Sequence, residues 1–273
     1  MNSLRTTRSG PWADALPSLI RAIGTDRFAP ALDDALRGVA SFDISCTFSY
    51  TLRARPQLLH DGLNQVSTPA VMASYLNGTY LLDAVYDACR RDMPTGLYRL
   101  SALAPDQFFE GDYYNSPEFH PCISMETGAL AEEIVFFTRV SEAYIAYSLL
   151  RQRGHPPFSP PEFTALQSTA TTVIALMESQ WRGRLPTSDD AGRKDPKDAR
   201  LSQAMDTFGG DVLTARERLI ASMILRGHST VSIAANLGLS EGTVKNHRKH
   251  IYAKLQIYNQ SGLFSLFIKH IFD

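Results

Sequence analysis

Three side chains near the C-terminal end of the chain are suited to contact the bases of double-stranded DNA. Lys245, Asn246 and Lys249 fall within five residues, so a helix would project them together from one side. A lysine ammonium can donate hydrogen bonds to O6 and N7 of guanine, and an asparagine amide can pair with adenine in a bidentate manner. Gly242, just before them, leaves room for close approach of the backbone. The pattern predicts a surface that enters a major groove.

The helix that carries these residues is marked by a cap and by an apolar stripe. Ser240 can accept a hydrogen bond from a backbone N–H of the first turn, which predicts a helix start at the next residue. Val244, Ile251 and Leu255 recur at spacings of seven and four, the period of one helix face. We therefore predict a helix over Glu241–Leu255 that buries this stripe and exposes the cations.

Two more helices precede this one, and a fourth follows it. Thr214 and Glu217 form a capping-box pattern that predicts the start of the first helix. Ser229 can cap the second helix, and Gly238 can adopt the left-handed conformation that ends it. The connection to the next helix is three residues long, which is typical of a helix-turn-helix. A fourth, unusually apolar helix is predicted from about Ser261 to Ile271.

At these positions the chain resembles the LuxR/GerE-type helix-turn-helix family of bacterial transcription factors. The positions that match the family pattern are Leu213, Thr214, Arg216, Glu217, Gly227, Ser229, Ile233, Ala234, Leu237, Ser240, Thr243, Val244, Lys245, His247, Ile251, Lys254, Leu255, Asn259 and Leu263.

The resemblance implies a domain that binds double-stranded DNA, and we expect it to do so as a homodimer. It implies base contacts by Lys245, Asn246 and Lys249. The phosphate contacts that it implies are those of Ser229, Thr230, Thr243 and Lys254. Arg248 lies towards the flank of the predicted helix, where a phosphate contact is also expected.

The charge distribution supports a nucleic-acid-binding end. The whole chain has 27 Lys and Arg against 28 Asp and Glu, a formal net charge of −1. From Leu213 onwards, however, eight basic residues face three acidic ones, a net charge of +5. Residues 1–212 then carry −6, so the near-neutral total conceals two parts of opposite sign.

The N-terminal part has the patterns of mixed α and β structure. Glu132–Val140 and Ala143–Arg151 are β-branched and aromatic runs joined by two residues, as expected of a hairpin. Phe42–Arg53 is predicted as another strand, and Tyr80–Asp92 and Phe163–Trp181 as helices. We predict an α+β domain in which an antiparallel sheet is flanked by helices, followed by an all-α, four-helix C-terminal domain.

Composition places a linker between the two parts. The stretch after Trp181 is rich in charge, Gly, Pro and Ser and nearly free of large apolar residues. We predict a ligand-sensing domain over 1–181, a linker over 182–208 and a DNA-binding domain over 209–273.

The first domain lacks the signs of two common sensor types. The acidic pair at 33–34 falls in a helix-like stretch, which disfavours a phosphorylated receiver. The only tryptophans, Trp12 and Trp181, lie at the domain edges, which disfavours an acyl-homoserine-lactone pocket. Residues 75–114 and 158–167 look like the GAF-like sensor of other LuxR-type regulators.

Aromatic residues and carboxylates alternate in this domain, and such a set could enclose a cationic amine. The predicted pocket residues are Tyr80, Asp83, Tyr86, Tyr98, Phe108, Tyr113 and Tyr114. The alternative is that these tyrosines are core residues whose hydroxyls are satisfied. The expected effector is a small molecule of unknown identity, and an amine is one candidate class.

Metal and enzyme hypotheses have less support. Glu118, His120 and Cys122 alternate and would share a face if extended, but Pro117 and Pro121 interrupt them. No supporting motif accompanies the cysteines, and the sequence contains no Gly-rich phosphate-binding loop. We expect no metal, no cofactor and no enzymatic activity.

The chain has three cysteines at wide spacings, an odd number without a disulfide pattern, which predicts a cytoplasmic protein. It has no long uncharged apolar run, so we expect no membrane partner. Expected partners are promoter DNA, the effector, a second subunit and RNA polymerase. The competing hypothesis is a ligand-binding or enzymatic protein whose helical tail serves a protein partner.

Overall fold

A computed structural model describes residues 10–52, 54–63, 67–122, 130–185 and 203–272. Over these ranges, an α+β part precedes an all-helical part, as predicted. No helix in the described ranges is long and apolar enough to cross a membrane.

A five-stranded antiparallel sheet organises the N-terminal part, with strand order β2-β1-β5-β4-β3. The strands are β1 (Ile44–Thr51), β2 (Ala54–Asp61), β3 (Gly96–Arg99), β4 (Leu130–Val140) and β5 (Ala143–Gln152). The predicted hairpin is the β4–β5 pair, and the early predicted strand is β1, so both predictions are confirmed. The two edge strands were not predicted, because β2 contains a proline and polar residues and β3 has only four residues.

Helices cover both faces of this sheet. One face carries α1 (Pro11–Ala22), α2 (Phe28–Arg37) and the long α6 (Pro160–Trp181), which contacts β4. On the other face lie α3 (Pro69–Leu76), α4 (Ala84–Arg90) and the one-turn α5 (Leu100–Leu103). The alternation of side chains along each strand therefore divides the core into two clusters, one on each face.

The helix predicted over Tyr80–Asp92 is wrong in one respect: it is broken at Asp83. A 3₁₀ turn spans Thr79–Leu82, and α4 begins only after it. Asp83 has an extended backbone, and its carboxylate accepts the Val85 N–H at 2.7 Å as the N-cap of α4. An aspartate satisfies a free backbone donor better at a cap than within a helix, which explains the break.

The C-terminal part consists of the four predicted helices. They are α7 (Ala215–Leu225), α8 (Thr230–Leu237), α9 (Glu241–Leu255) and α10 (Gln260–Phe272). Thr214 and Glu217 form the reciprocal capping box, and Ser229 and Ser240 cap α8 and α9. Gly238 has the left-handed φ of 62° that ends α8. Each of these predicted signals is confirmed.

Part of the predicted linker is packed in this region. Residues 203–207 are helical, and Phe208 is buried with its ring 5.3 Å from that of Phe267 in α10. The linker residues 186–202 lie outside the described ranges. The C-terminal core therefore includes residues that precede the predicted domain start at 209.

Glu217 ties α7 to α9. Its buried carboxylate accepts the Thr214 N–H at 2.8 Å and the Lys254 ammonium at 2.7 Å. The hydrogen bond from Lys254 and those from Thr214 lower the pKa of Glu217 to about 2. The ionised carboxylate thus holds the C-terminal turn of α9 against the start of α7.

A Glu217→Gln variant should unfold more easily at neutral pH, by about 2 kcal/mol, because the ion pair with Lys254 is lost. A lowered pKa means that this stabilisation is complete above about pH 4.5 and disappears as pH falls towards 2. The difference between variant and parent should therefore shrink over that window in calorimetric unfolding. Glu241→Gln is the matched control, because its partner Lys245 is exposed and 3.7 Å away. An equal loss in both variants would contradict the assignment.

Candidate nucleic-acid interface and effector site

The predicted base-contacting residues occupy the exposed face of α9. Val244 and Ile251 are fully buried and fix the rotation of the helix. Lys245, Asn246 and Lys249 are exposed on the outer side. Lys245 has only a loose ion pair with Glu241 in the preceding turn, at 3.7 Å, so its ammonium remains available to a partner.

The predicted phosphate-contacting residues on α8 and α9 are engaged within the helix-turn-helix. Arg248 donates to the Thr230 hydroxyl at 3.1 Å and so bridges the two helices. Thr243 shares a 2.8 Å hydrogen bond with the capping Ser240 hydroxyl. Lys254 is the partner of Glu217 described above. These contacts hold the side chains at the edges of α9, next to the exposed face.

Ser229, at the start of α8, has a partner from the sensor domain. Its hydroxyl accepts the Ser232 N–H as the helix cap, and its own N–H donates to Asp106 Oδ1 at 2.9 Å. Partial burial opposes ionisation of Asp106, but the hydrogen bonds from Ser229 prevail and lower its pKa. A carboxylate therefore occupies the positive end of α8, where a DNA phosphate was predicted.

Backbone contacts reinforce this junction between sensor and helix-turn-helix. The Gln107 N–H donates to the Gly227 carbonyl at 2.8 Å. Gly227 has a φ of 90°, and a Cβ there would lie 2.5 Å from the Phe108 Cα. Arg226 Nε lies 3.7 Å from Asp87 Oδ1 on α4, and burial lowers the pKa of this guanidinium to about 10. Only a residue without a side chain fits at 227 in this arrangement.

A second patch joins the sensor to α10. The Ser261 hydroxyl lies 3.2 Å from Asp112 Oδ1, and the Phe119 ring meets the Phe264 ring edge-on at 5.8 Å. The segment 106–119 thus contacts the start of α8 and the start of α10 together. The buried residues of the helix-turn-helix and of the α4 face of the sheet form one continuous cluster.

Most of the predicted pocket residues are buried on the α4 face of the sheet, in two aromatic groups. Tyr80 and Tyr86 meet edge-on at 4.9 Å. Phe108, Tyr113 and Tyr114 form the second group, in which the Phe108 ring lies 6.2 Å from that of Tyr113 and 5.4 Å from that of Tyr114. The structure does not bring Tyr98 into either group: it is partly buried on β3 and donates to the Pro94 carbonyl at 2.8 Å.

Asp83 ends a chain of buried hydroxyls. The Tyr50 and Tyr75 hydroxyls lie 2.7 Å apart, and Tyr75 donates to Asp83 Oδ2 at 2.7 Å. Burial raises the pKa of Asp83, although these hydrogen bonds oppose the shift. The half-buried Asp83 carboxylate is therefore surrounded by tyrosines, and the hydroxyls of Tyr50 and Tyr75 are satisfied within this group, as the core alternative expects.

Sequence reasoning missed Glu133, which lies on β4 and faces the same side of the sheet. The Ser148 hydroxyl donates to Glu133 Oε1 at 2.6 Å, and burial, then the charge of Asp83, raises the pKa of Glu133 to about 8. Tyr113 nearby has a buried hydroxyl without a partner in the described part of the chain. The sequence did contain a sign of this residue. Glu133 has the same two-residue spacing as Val135 and Phe137, so a strand here places a glutamate on a core-facing side.

The residues considered for a metal site do not converge. Residues 116–122 form turns instead of an extended strand, and Glu118 is exposed whereas His120 and Cys122 are buried. Burial lowers the pKa of His120 to about 3, so its ring is neutral. The thiols of Cys46, Cys89 and Cys122 are buried with raised pKa values, which is the opposite of an activated nucleophile.

Several known proteins are similar to this chain. The family model for bacterial regulatory proteins of the luxR family matches residues 211–267. A putative HTH-type transcriptional regulator in the exeN 3′ region of Aeromonas salmonicida is 31% identical over 193 residues, covering 69% of this chain and 94% of that protein. The monoamine regulon transcriptional regulator of Klebsiella aerogenes is 30% identical over 131 residues, 48% of this chain and 47% of that one.

A solved structure shares the fold. The crystal structure of the VqsR LBD domain from Pseudomonas aeruginosa matches with a TM-score of 0.52 and 22% identity, covering 63% of this chain and 97% of that one. The likeness concerns the α+β architecture of the sensor.

Replacing Gly227 by alanine should detach the sensor from the helix-turn-helix, because the new Cβ would collide with the Phe108 backbone. Gly238→Ala is the matched control: its φ of 62° imposes similar strain, but its Cβ would meet no atom within 4 Å. We expect faster hydrogen exchange at the Gln107 and Ser229 amides in the first variant and unchanged exchange there in the second. Retained protection of both amides in Gly227→Ala would show that this junction does not exist in solution.

Proposed function

Because the chain belongs to the LuxR family of bacterial transcriptional regulators and its C-terminal domain binds DNA, we propose that the sensor controls this binding by direct contact with α8. The observation that carries the proposal is the 2.9 Å hydrogen bond from the Ser229 N–H to the Asp106 carboxylate. The start of a helix offers its free N–H groups to a single anion at a time. Asp106 and a DNA phosphate would therefore compete for the same donor, and the docked sensor would weaken DNA binding.

The effector would act on this competition through α4. Asp83 caps the start of α4 within the buried tyrosine group, and Asp87 in the same helix lies beside Arg226, one residue before Gly227. A ligand that shifts α4 would thus reach the junction directly. We propose a small-molecule effector of the amine class. The relative named as a regulator of a monoamine regulon supports this class, as do the carboxylate and aromatic residues of the pocket.

The DNA contacts remain proposals at the level of residues. We propose that Lys245, Asn246 and Lys249 contact bases. The proposed phosphate contacts are those of Ser229, Thr230, Thr243, Arg248 and Lys254. We further propose a homodimer, in which two copies of α9 reach half-sites about one helical turn apart.

The remaining assignments follow from this role. We propose that the chain is not an enzyme, since its thiols are buried and their pKa values raised. A cytoplasmic location and contact with RNA polymerase fit a bacterial regulator. The GAF-like description of the sensor and the domain limits 1–181, 182–208 and 209–273 stay predictions.

A Lys249→Ala variant tests the assigned reading face. Loss of a bidentate base contact should weaken specific binding by about 1–3 kcal/mol, or roughly 5- to 150-fold, and relax the base preference at one position. The measurement is titration, at fixed salt, of a duplex selected from random sequences by the parent chain. Lys269→Ala, which removes an exposed lysine of α10, is the control. Equal affinity and equal base preference in both variants would show that α9 does not read bases through Lys249.

An Asp106→Ala variant tests the control by the sensor. Removing the carboxylate should free the start of α8 and raise DNA affinity in the absence of effector by about threefold to tenfold. Asp34→Ala is the control, because it removes the same charge from an exposed sensor helix. If both variants gain equally, general repulsion explains the effect, and if Asp106→Ala gains nothing, the proposed competition is absent.

A further inference from the structure

The α4 face of the sheet holds the buried carboxyl group of Glu133 and the half-buried carboxyl group of Asp83 among uncharged donors. Glu133 accepts from the Ser148 hydroxyl, and Asp83 accepts from the Tyr75 hydroxyl and the Val85 N–H. Burial raises the pKa of both groups, and the charge of Asp83 raises that of Glu133 further. Each carboxyl group is therefore either a negative charge or a neutral acid that keeps its proton. Within the described ranges, no cation is among the groups that shift the pKa of Glu133.

An unpaired hydroxyl belongs to the same place. Tyr113 is 3% exposed, and its hydroxyl has no hydrogen-bond partner in the described part of the chain. Burial, then the charges of Asp83, Cys122 and Glu133, raises its pKa, so the ring lies close to both carboxyl groups. A buried hydroxyl without a partner is costly in free energy and indicates a missing polar atom.

Asp33, on the opposite face of the same sheet, is a buried carboxylate with a full set of partners and serves as a comparison for Glu133. Asp33 accepts from the Tyr147 hydroxyl at 2.5 Å and from the Ser45 hydroxyl at 2.7 Å, and His60 Nε2 lies 3.2 Å away. Burial favours the neutral acid, but these partners outweigh it and lower the pKa of Asp33. Within the described ranges, Glu133 accepts one hydrogen bond, from Ser148, and has no comparable set of partners.

We propose that Glu133, Asp83 and the Tyr113 hydroxyl bind the ammonium group of a small primary amine. The inference rests on the proposed effector-sensing function and assigns the atoms that recognise the ligand. An ammonium supplies the three donors and the positive charge that this site lacks. The rings of Tyr80 and Phe108, which contact Tyr75 and Tyr113, would face the apolar part of the ligand.

Binding would release a proton. An alkylammonium is protonated at neutral pH, whereas Glu133, with a pKa near 8, carries its proton. When the ammonium enters, the Glu133 proton passes to the solvent, and an ion pair replaces the neutral acid. Affinity for amines should therefore rise as pH increases from 6 to 9.

With the exception of Asp83, the other groups that face Glu133 in the described ranges do not take over this titration. They are Asp83 before α4, Tyr113 and Tyr114 in the turns after α5, Cys46 on β1 and Cys122. The tyrosines and thiols have raised pKa values, and His120 beside them has a pKa of about 3. Asp83, whose pKa is also raised, is the one other group that could release a proton on binding.

Isothermal titration calorimetry on the full chain provides the test. The probes are 2-phenylethylamine, butylamine and 1,4-diaminobutane, with 2-phenylethanol and phenylacetate as neutral and anionic counterparts. At pH 7 we expect at least one amine to bind at least tenfold more tightly than its counterparts. The enthalpy should differ between phosphate and Tris buffers by the amount that corresponds to release of most of a proton.

Two variants separate recognition from structure. Glu133→Gln is close in shape to the protonated acid and should fold normally, lose the proton release and bind the amine at least tenfold more weakly. Glu132→Gln is the matched control on the same strand, because its carboxylate binds Arg99 and the Phe158 N–H on the opposite face. This control should keep both the affinity and the proton release.

Tyr113→Phe removes the unpaired hydroxyl. We expect its thermal stability to be equal or higher, and its affinity for the amine to fall several-fold. A loss of stability with unchanged affinity would mean that the hydroxyl is a structural partner.

The outcomes distinguish this inference from the proposed function. Binding of phenylacetate or 2-phenylethanol in preference to the amines overturns the amine site but leaves a sensor domain. Amine binding with the same proton release in Glu133→Gln shows that Glu133 is not the anchor. Absence of binding by every amine overturns the inference, whereas the DNA affinities of Asp106→Ala test the control mechanism independently.

Discussion

The alternation of side chains along β4 is the constraint on which the two halves of the sensor depend. Ile134 and Phe136 point to the face covered by α1, α2 and α6, and are fully buried in an apolar cluster. Glu133, Val135 and Phe137 point to the other face, where the tyrosines and α4 lie. A shift of one residue would exchange the two faces, so the long β4–β5 ladder fixes which side carries Glu133.

The α4 face is also the face that meets the helix-turn-helix. Its buried cluster continues without a break into the cores of α7, α9 and α10. Asp83 caps α4 at the polar site, and Asp87, one turn further on, faces Arg226 at the junction. The carboxyl groups of Asp83 and Glu133 are therefore connected to the start of α8 by a single short helix, α4. This proximity gives the sensor a physical means of influencing DNA binding over a short path.

Local signals made the C-terminal domain predictable and left much of the sensor site unpredicted. Capping by Thr214, Ser229 and Ser240 involves residues at most three apart, so the sequence displays it directly. The role of Glu133 depends on Asp83, fifty residues earlier, and on Ser148 across a strand pair. The helix break at Asp83 was missed because the apolar period continues across the capping aspartate and predicts one helix over Tyr80–Asp92. Predicting these features requires the strand register, which hydrophobic periodicity does not supply.

The division of charge along the sequence has a structural counterpart. The acidic N-terminal part could act on DNA only weakly at a distance, because salt screens charges beyond about 10 Å. Three of its aspartates instead lie in contact with the basic C-terminal domain: Asp87 beside Arg226, Asp106 at the Ser229 N–H and Asp112 at Ser261. Salt weakens electrostatic interactions at a distance but much less between groups in direct contact. We therefore expect the acidic charge of the sensor to compete with DNA only while the two domains are docked. In the proposed mechanism, undocking removes this competition and leaves the positive charge of the helix-turn-helix free to bind DNA.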